Sequence, residues 1–244
     1  MTPSITVRYG EAPAQFATLT LPDTDGPHRV VALVHGGFWR AQHGLDIMEP
    51  LVEDLVARGF ACWNIEYRRV AQPGGGYPGT LHDVAAAVDH LDVVAESQAV
   101  DLGRVAVIGH SAGGHLALWV GSRGLLDASQ PGAQPTVRPV IVVGLAAVAD
   151  LPGAAREGLG NNATQDFMGG EPAELLEQYA AANPVISART VLVHGDADIV
   201  VPINQSTRFA DLAEVIVIPD EDHMAVIDPA TQSWAATIDV LSRL

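Results

Sequence analysis

The chain has a single cysteine, Cys62, among its 244 residues, so no intrachain disulfide can form. Basic side chains are scarce: 13 Lys and Arg stand against 29 Asp and Glu, a formal net charge of -16. A field of that sign repels nucleic acid and anionic membrane surfaces, and no basic stripe offsets it locally. No apolar run reaches the ~18 residues a membrane span needs. The N-terminal MTPSITVRYG lacks the basic-then-apolar pattern of a secretory leader. There is no HExxH and no paired CxxC to hold a metal. These absences predict a cytoplasmic protein that works on a small molecule without metal or cofactor, with neither nucleic acid nor membrane as partner.

What is present is ample material for a core: 48% of residues are hydrophobic and 17% charged, too little charge for a disordered chain. Residues 5–7 and 16–21 alternate like half-buried antiparallel strands. Residues 29–34 (RVVALV) form a continuous apolar run, as a strand buried on both faces of a parallel sheet does. Further strands are predicted at 60–65, 104–108, 140–143, 190–193 and 215–218, and helices at 47–57, 81–94, 112–120, 203–212 and 231–241. Strands alternating with helices imply right-handed βαβ units. The expected fold class is therefore α/β: a mostly parallel central sheet with helices on both faces and an antiparallel N-terminal edge. Residues 1–244 read as one domain. From about 150 to 184 no strand pattern appears, and an excursion of that length predicts a lid or pocket wall.

The sequence around Gly109-His110-Ser111-Ala112-Gly113 is G-x-S-x-G, entered from an apolar strand (VAVI) and left by a helix (HLALWV). That context gives the pattern its meaning: a tight strand–turn–helix elbow lifts a serine hydroxyl above the sheet edge, beside a helix N-terminus that favours negative charge. No G-x-G-x-x-G follows the first buried strand, which argues against a dinucleotide site. Ser111 is the predicted nucleophile. His35-Gly36-Gly37-Phe38-Trp39 ends an earlier buried strand, and a glycine-rich turn there can aim backbone N–H groups at a developing oxyanion. The predicted donors are the amides of Gly37, Phe38 and Ala112, with His35 locking the loop by hydrogen bonding.

Nine histidines compete for the role of base. His110 and His115 are tied to the turn and helix of Ser111. His28, His43, His82 and His90 read as surface residues, and His194 ends a strand. His223 follows the last strand across a short acidic loop and precedes the closing helix, on the sheet edge that carries Ser111, and is the predicted base. For the orienting acid, Asp196 and Asp198 compete after the strand TVLV. Asp196 lies nearer the strand end, where it can brace the turn, and Asp198 is preferred. The order Ser111, Asp198, His223 is the chain order of a nucleophile-elbow hydrolase.

With these motifs in place, the sequence resembles the α/β-hydrolase superfamily over nearly its whole length. The stretches 35–39 (HGGFW) and 109–114 (GHSAGG) are similar to those of kynurenine formamidases and small carboxylesterases, where hormone-sensitive-lipase relatives carry HGGG. Gly195-x-x-Asp198-x-x-Val201-Pro202 resembles the superfamily's acid motif, and the stretch from His223 to Ile227-Asp228-Pro229 its histidine loop. The resemblance implies two-step acyl transfer on a small ester or amide. A carboxylesterase of short-acyl esters is the expected activity and an arylformamidase the alternative, with peptidase, thioesterase, acyltransferase and a non-catalytic binding module behind them. Trp39, Tyr67, Phe167 and Met168 are candidates to line a pocket, and Arg40, Arg68 or Arg69 to meet a substrate carboxylate.

Overall fold

The computed structural model describes residues 4–186 and 189–244. Eight strands form one sheet: β1 (Ser4–Arg8), β2 (Phe16–Thr20), β3 (His28–Val34), β4 (Ala61–Ile65), β5 (Val100–His110), β6 (Ile141–Leu145), β7 (Thr190–Gly195) and β8 (Glu214–Ile218), in the spatial order β1-β2-β4-β3-β5-β6-β7-β8. The pairs β1–β2 and β2–β4 are antiparallel and all others parallel, so the N-terminal edge runs against the rest, as expected.

Alternation of side chains along each central strand sorts the core into two layers. Val30, Ala32 and Val34 of β3, with Val105 and Val107 of β5, face one layer; Val31, Leu33, Ala106 and Ile108 face the other. The second layer is covered by α1 (Glu49–Ala57), through Leu51, Val52 and Leu55. The first is covered by α2 (Gly79–Asp89), α3 (Leu91–Ala95) and α4 (Ala112–Ser122), through Leu81, Leu91 and Leu116. The excursion between β6 and β7 holds α5 (Leu151–Arg156), α6 (Leu159–Met168) and α7 (Leu176–Ala182). After α8 (Asn204–Thr207), the closing α9 (Gln232–Leu241) joins the second layer through Trp234, Val240 and Leu241. None of the described helices is long and apolar enough to cross a membrane.

Three expectations need correction. The helix anticipated at 81–94 is divided between α2 and α3 at His90. The helix anticipated at 203–212 is the four-residue α8. Beyond it, Phe209, Ala210 and Leu212 donate to carbonyls three residues back, tightening the chain into turns that deliver it to β8. His28 is not a surface residue: it opens β3, paired with Val100 of β5, and is buried.

The excursion packs against the body at many points. Ala163, Phe167, Met168, Tyr179 and Ala182 are all in the first core layer. His115 Nε2 and Trp119 Nε1 donate to the carbonyls of Ala182 and Ala181, both at 2.9 Å, and within the excursion Leu151 N donates to Asn183 Oδ1 at 2.8 Å.

Candidate active site

Six strands, β3 to β8, run parallel, so their C-terminal ends share one edge. That edge is where ligands meet open α/β sheets. It receives His35 after β3, Glu66 after β4, Ser111 after β5, Asp198 after β7 and His223 after β8.

At the end of β5 the backbone of Ser111 takes φ 58° and ψ -120°, a left-handed conformation that side chains rarely adopt. Two close approaches make the turn possible. A Cβ on Gly113 would lie 2.2 Å from the carbonyl oxygens of Val34 and His35, and one on Gly109 would lie 2.0 Å from the carbonyl oxygen of Gly113. Only glycine permits either. Ser111 N donates to the carbonyl of Leu145 at 2.8 Å, tying the elbow to the neighbouring strand.

The loop after β3 is equally contorted: Gly37, Phe38 and Trp39 have φ of 111°, 53° and 55°. Among the described residues the amides of Gly37 and Phe38 donate to no acceptor, and Ala112, first residue of α4, belongs to the helix turn whose N–H groups lack intrahelical partners. Beneath this loop, His35 is locked on both sides. Its Nε2 lies 3.1 Å from Glu66 Oε1 and its Nδ1 2.8 Å from the carbonyl of Gly36. Its ring is stacked on Tyr67 at 4.3 Å, and Tyr67 Oη donates to the His35 carbonyl at 2.7 Å. Glu66 also accepts from Tyr67 N, Leu45 N and Arg69. Burial opposes its ionisation, yet His35 and Arg69 hold its carboxyl below the usual range.

On the other side, Asp198 is saturated. Its Oδ1 accepts from the amides of Val200 and Val201 at 2.8 and 2.9 Å, and its Oδ2 from His223 Nδ1 at 2.7 Å and His194 Nε2 at 3.2 Å. Although burial disfavours the charge, the two imidazoles and the Val201 amide keep its carboxyl far below the usual carboxylate value. Asp196 takes a different part: its Oδ1 accepts from Asp220 N at 2.7 Å, joining the turn after β7 to the loop before His223.

The histidine of that loop meets the elbow through His110. Nε2 of His110 donates to the carbonyl of His223 at 2.9 Å, and the two rings are 4.6 Å apart, tilted by 43°. Burial, then the proximity of His223, pushes His110 down to about 3, so it faces the second ring uncharged at neutral pH. No hydrogen bond joins Ser111 Oγ to His223 among the described residues; that link alone among the predicted three is left open.

The pocket candidates are distributed otherwise than the sequence reading expects. Trp39, Phe167 and Met168 are buried in the core layer, with Trp39 stacked on Phe167 at 4.9 Å, and Tyr67 is committed to His35. The arginines are all paired. Arg40 meets Asp166, Arg68 meets both oxygens of Asp83, and Arg69 meets Glu66 and the carbonyl of His43. A carboxylate within the fold therefore occupies each cation expected to receive one from a substrate. Sequence reasoning passed over Glu66, His110 and His194. Glu66 carried a signal, a lone acid at the end of a buried strand that must find partners. The roles of His110 and His194 depend on loops from distant segments. Among the described residues no group of three or more His, Cys, Asp or Glu is arranged to hold a metal ion.

An eight-stranded, mostly parallel sheet with a left-handed serine between β5 and α4 is the α/β-hydrolase fold. Within it, the BD-FAE family model matches residues 19–212, and the chain belongs to that family. Esterase LipC of Mycobacterium tuberculosis is 26% identical over 229 residues, 84% of this chain and 53% of LipC. Among solved structures, the bifunctional GH43-CE of Bacteroides eggerthii superposes with a TM-score of 0.80 at 25% identity, over 97% of this chain and 37% of that one. A truncated carbohydrate esterase from gut microbiota superposes with a TM-score of 0.81 at 21% identity, over 99% and 95% of the two chains. The chain thus spans about half the length of LipC and little more than a third of the Bacteroides chain.

Proposed function

We propose that the protein is a serine esterase that cleaves small carboxylic esters through an acyl-enzyme on Ser111. The observation that carries this reading is the left-handed Ser111 next to His110, whose ring meets that of His223, itself held by Asp198. In the proposed reaction, Ser111 Oγ attacks the ester carbonyl while His223 Nε2 takes its proton. Asp198 holds the imidazole with Nδ1–H facing the carboxylate, which leaves Nε2 as the basic nitrogen and stabilises the imidazolium once formed. The amides of Gly37, Phe38 and Ala112 receive the oxyanion. His223 then protonates the departing alcohol, and water, deprotonated by the same imidazole, releases the acid. The names of LipC and of the carbohydrate esterase support an ester as substrate.

The arylformamidase alternative called on a free cation for a substrate carboxylate, and the pairing of Arg40, Arg68 and Arg69 favours the ester. The test is labelling by a fluorophosphonate probe with parallel kinetics on p-nitrophenyl acetate, p-nitrophenyl butyrate and N-formylkynurenine. Ser111 is expected to be labelled, Ser111→Ala to remain unlabelled and inactive, and kcat/KM for the esters to exceed that for the formamide by at least 100-fold, about 2.7 kcal/mol in transition-state binding. Unlabelled wild-type protein would overturn the reading.

A further inference from the structure

Two left-handed turns from distant parts of the chain meet, and the first follows Gly36, which packs against Ser111. One is the loop after β3, where Gly37, Phe38 and Trp39 all have positive φ. The other opens α6, where Gly158, Gly160, Asn161 and Asn162 have φ between 57° and 63°. Non-glycine residues in this region carry a backbone cost and persist where surrounding contacts impose them. The contacts that join the two turns are specific. Arg40 Nη2 donates to the carbonyl of Asn161 at 2.9 Å and to Asp166 Oδ2 at 2.8 Å. The Phe38 ring lies against Gly160, where an added Cβ would come within 2.2 Å of it. On the backbone, Arg40 N closes the first turn onto the carbonyl of Gly37 at 3.0 Å, and Val70 N donates to the carbonyl of Trp39 at 2.8 Å.

We infer that Arg40 is a positioning residue: by clamping the turn at 158–162 onto the loop at 37–39, it holds the amides of Gly37 and Phe38 at the reacting carbonyl. The inference rests on the esterase reading and deepens it, assigning to the excursion between β6 and β7 the task of shaping the oxyanion site. The Arg40 and Asp166 side chains are 27% and 49% exposed, and an ion pair so open to water contributes little to global stability. Its loss therefore separates positioning from folding.

Arg40→Ala, Asp166→Asn and Arg40→Lys are compared with wild type on p-nitrophenyl acetate, with melting curves and hydrogen exchange on the same samples. The expected result is a kcat at least about tenfold lower in Arg40→Ala, part of what losing one oxyanion donor costs, with KM within twofold. Asp166→Asn shifts kcat in the same direction, and Arg40→Lys keeps more of it than Arg40→Ala. Melting temperature falls by no more than about 4 °C, and amide exchange quickens at 36–40 and 158–162 together. A kcat within twofold of wild type in both Arg40→Ala and Asp166→Asn overturns the inference, and so does a raised KM at unchanged kcat, which would place Arg40 on the substrate. Wild-type protein that cleaves no ester refutes the esterase reading instead. The clamp is then judged by exchange alone: unaltered exchange in both segments of Arg40→Ala refutes it.

Discussion

Two buried carboxylate–imidazole pairs stand at the same sheet edge and do opposite work. Asp198 with His223 and Glu66 with His35 have similar distances, 2.7 and 3.1 Å, and both carboxyls are held below their usual range. The difference lies in the second ring nitrogen. In His35 it faces the carbonyl of Gly36 and the ring is stacked under Tyr67, so both edges are occupied. In His223 the second nitrogen has no hydrogen-bond partner among the described residues, and the ring is tilted by 43° against that of His110. An imidazole can act as a base when one nitrogen is oriented and the other open; with both engaged it becomes a strut. In the proposed reaction one carboxylate–imidazole pair moves a proton on one side of Ser111, and the other pair holds a loop rigid on the opposite side.

This contrast can be broken most severely at Asp198. In Asp198→Asn an amide NH2 replaces one oxygen and faces either two backbone donors or two imidazoles. With His223 turned to the tautomer that carries its proton on Nε2, kcat is expected to fall by roughly 10⁴-fold, measured as ester hydrolysis at saturating substrate, while the protein remains folded by circular dichroism. The reciprocal change, Glu66→Gln, reverses the balance of effects. Its oxygen can serve the three donors around Oε1, but its NH2 then opposes Leu45 N–H. Stability is expected to drop by about 2–3 kcal/mol in urea titration, with activity reduced only about tenfold through the loosened loop. If Glu66→Gln cost more activity than Asp198→Asn, the roles assigned to the two pairs would have to be exchanged.

The last test is pH. His110 and His115 are pushed by burial to about 3 and about 4, below the usual 6.5. The unfolded chain therefore binds their protons first, and stability declines as pH falls below about 6.5. Asp198 and Glu66 have depressed native values, so the stability they contribute is fully present above their ordinary values near 4 and is lost as pH falls further. The melting temperature is expected to decline steadily from about pH 6.5 and more steeply below about pH 4. The deficit of Glu66→Gln should shrink in the lower range, where the wild-type carboxylate is itself being protonated. A deficit that stays constant down to pH 3 would show that Glu66 acts through shape and not through charge.

How much could be read in advance follows from the range of the interactions. The elbow is a local pattern: strand, glycine, serine, glycine and helix lie within a dozen residues, and the tightness of the turn dictates the small neighbours of Ser111. The excursion was visible as a break in rhythm, but not as a wall packed into the core, because its anchors are Trp39, His115 and Trp119, far away in the chain. Arg40 shows the limit most plainly. Read locally, it is a cation beside a reactive loop, available to a substrate; in the folded chain it is committed to a carboxylate 126 residues away.

The sequence by itself determined the α/β alternation, the antiparallel N-terminal edge and the placing of Ser111, Asp198 and His223 after strand ends, because each follows from periodicity and turn chemistry over a few residues. Only the tertiary structure decided that Glu66 meets His35, that His194 shares Asp198 with His223, and that the three arginines are already paired. Those outcomes depend on how parallel strands bring loops from separate segments to one edge, and side-chain distances across that edge are set by packing of the whole sheet.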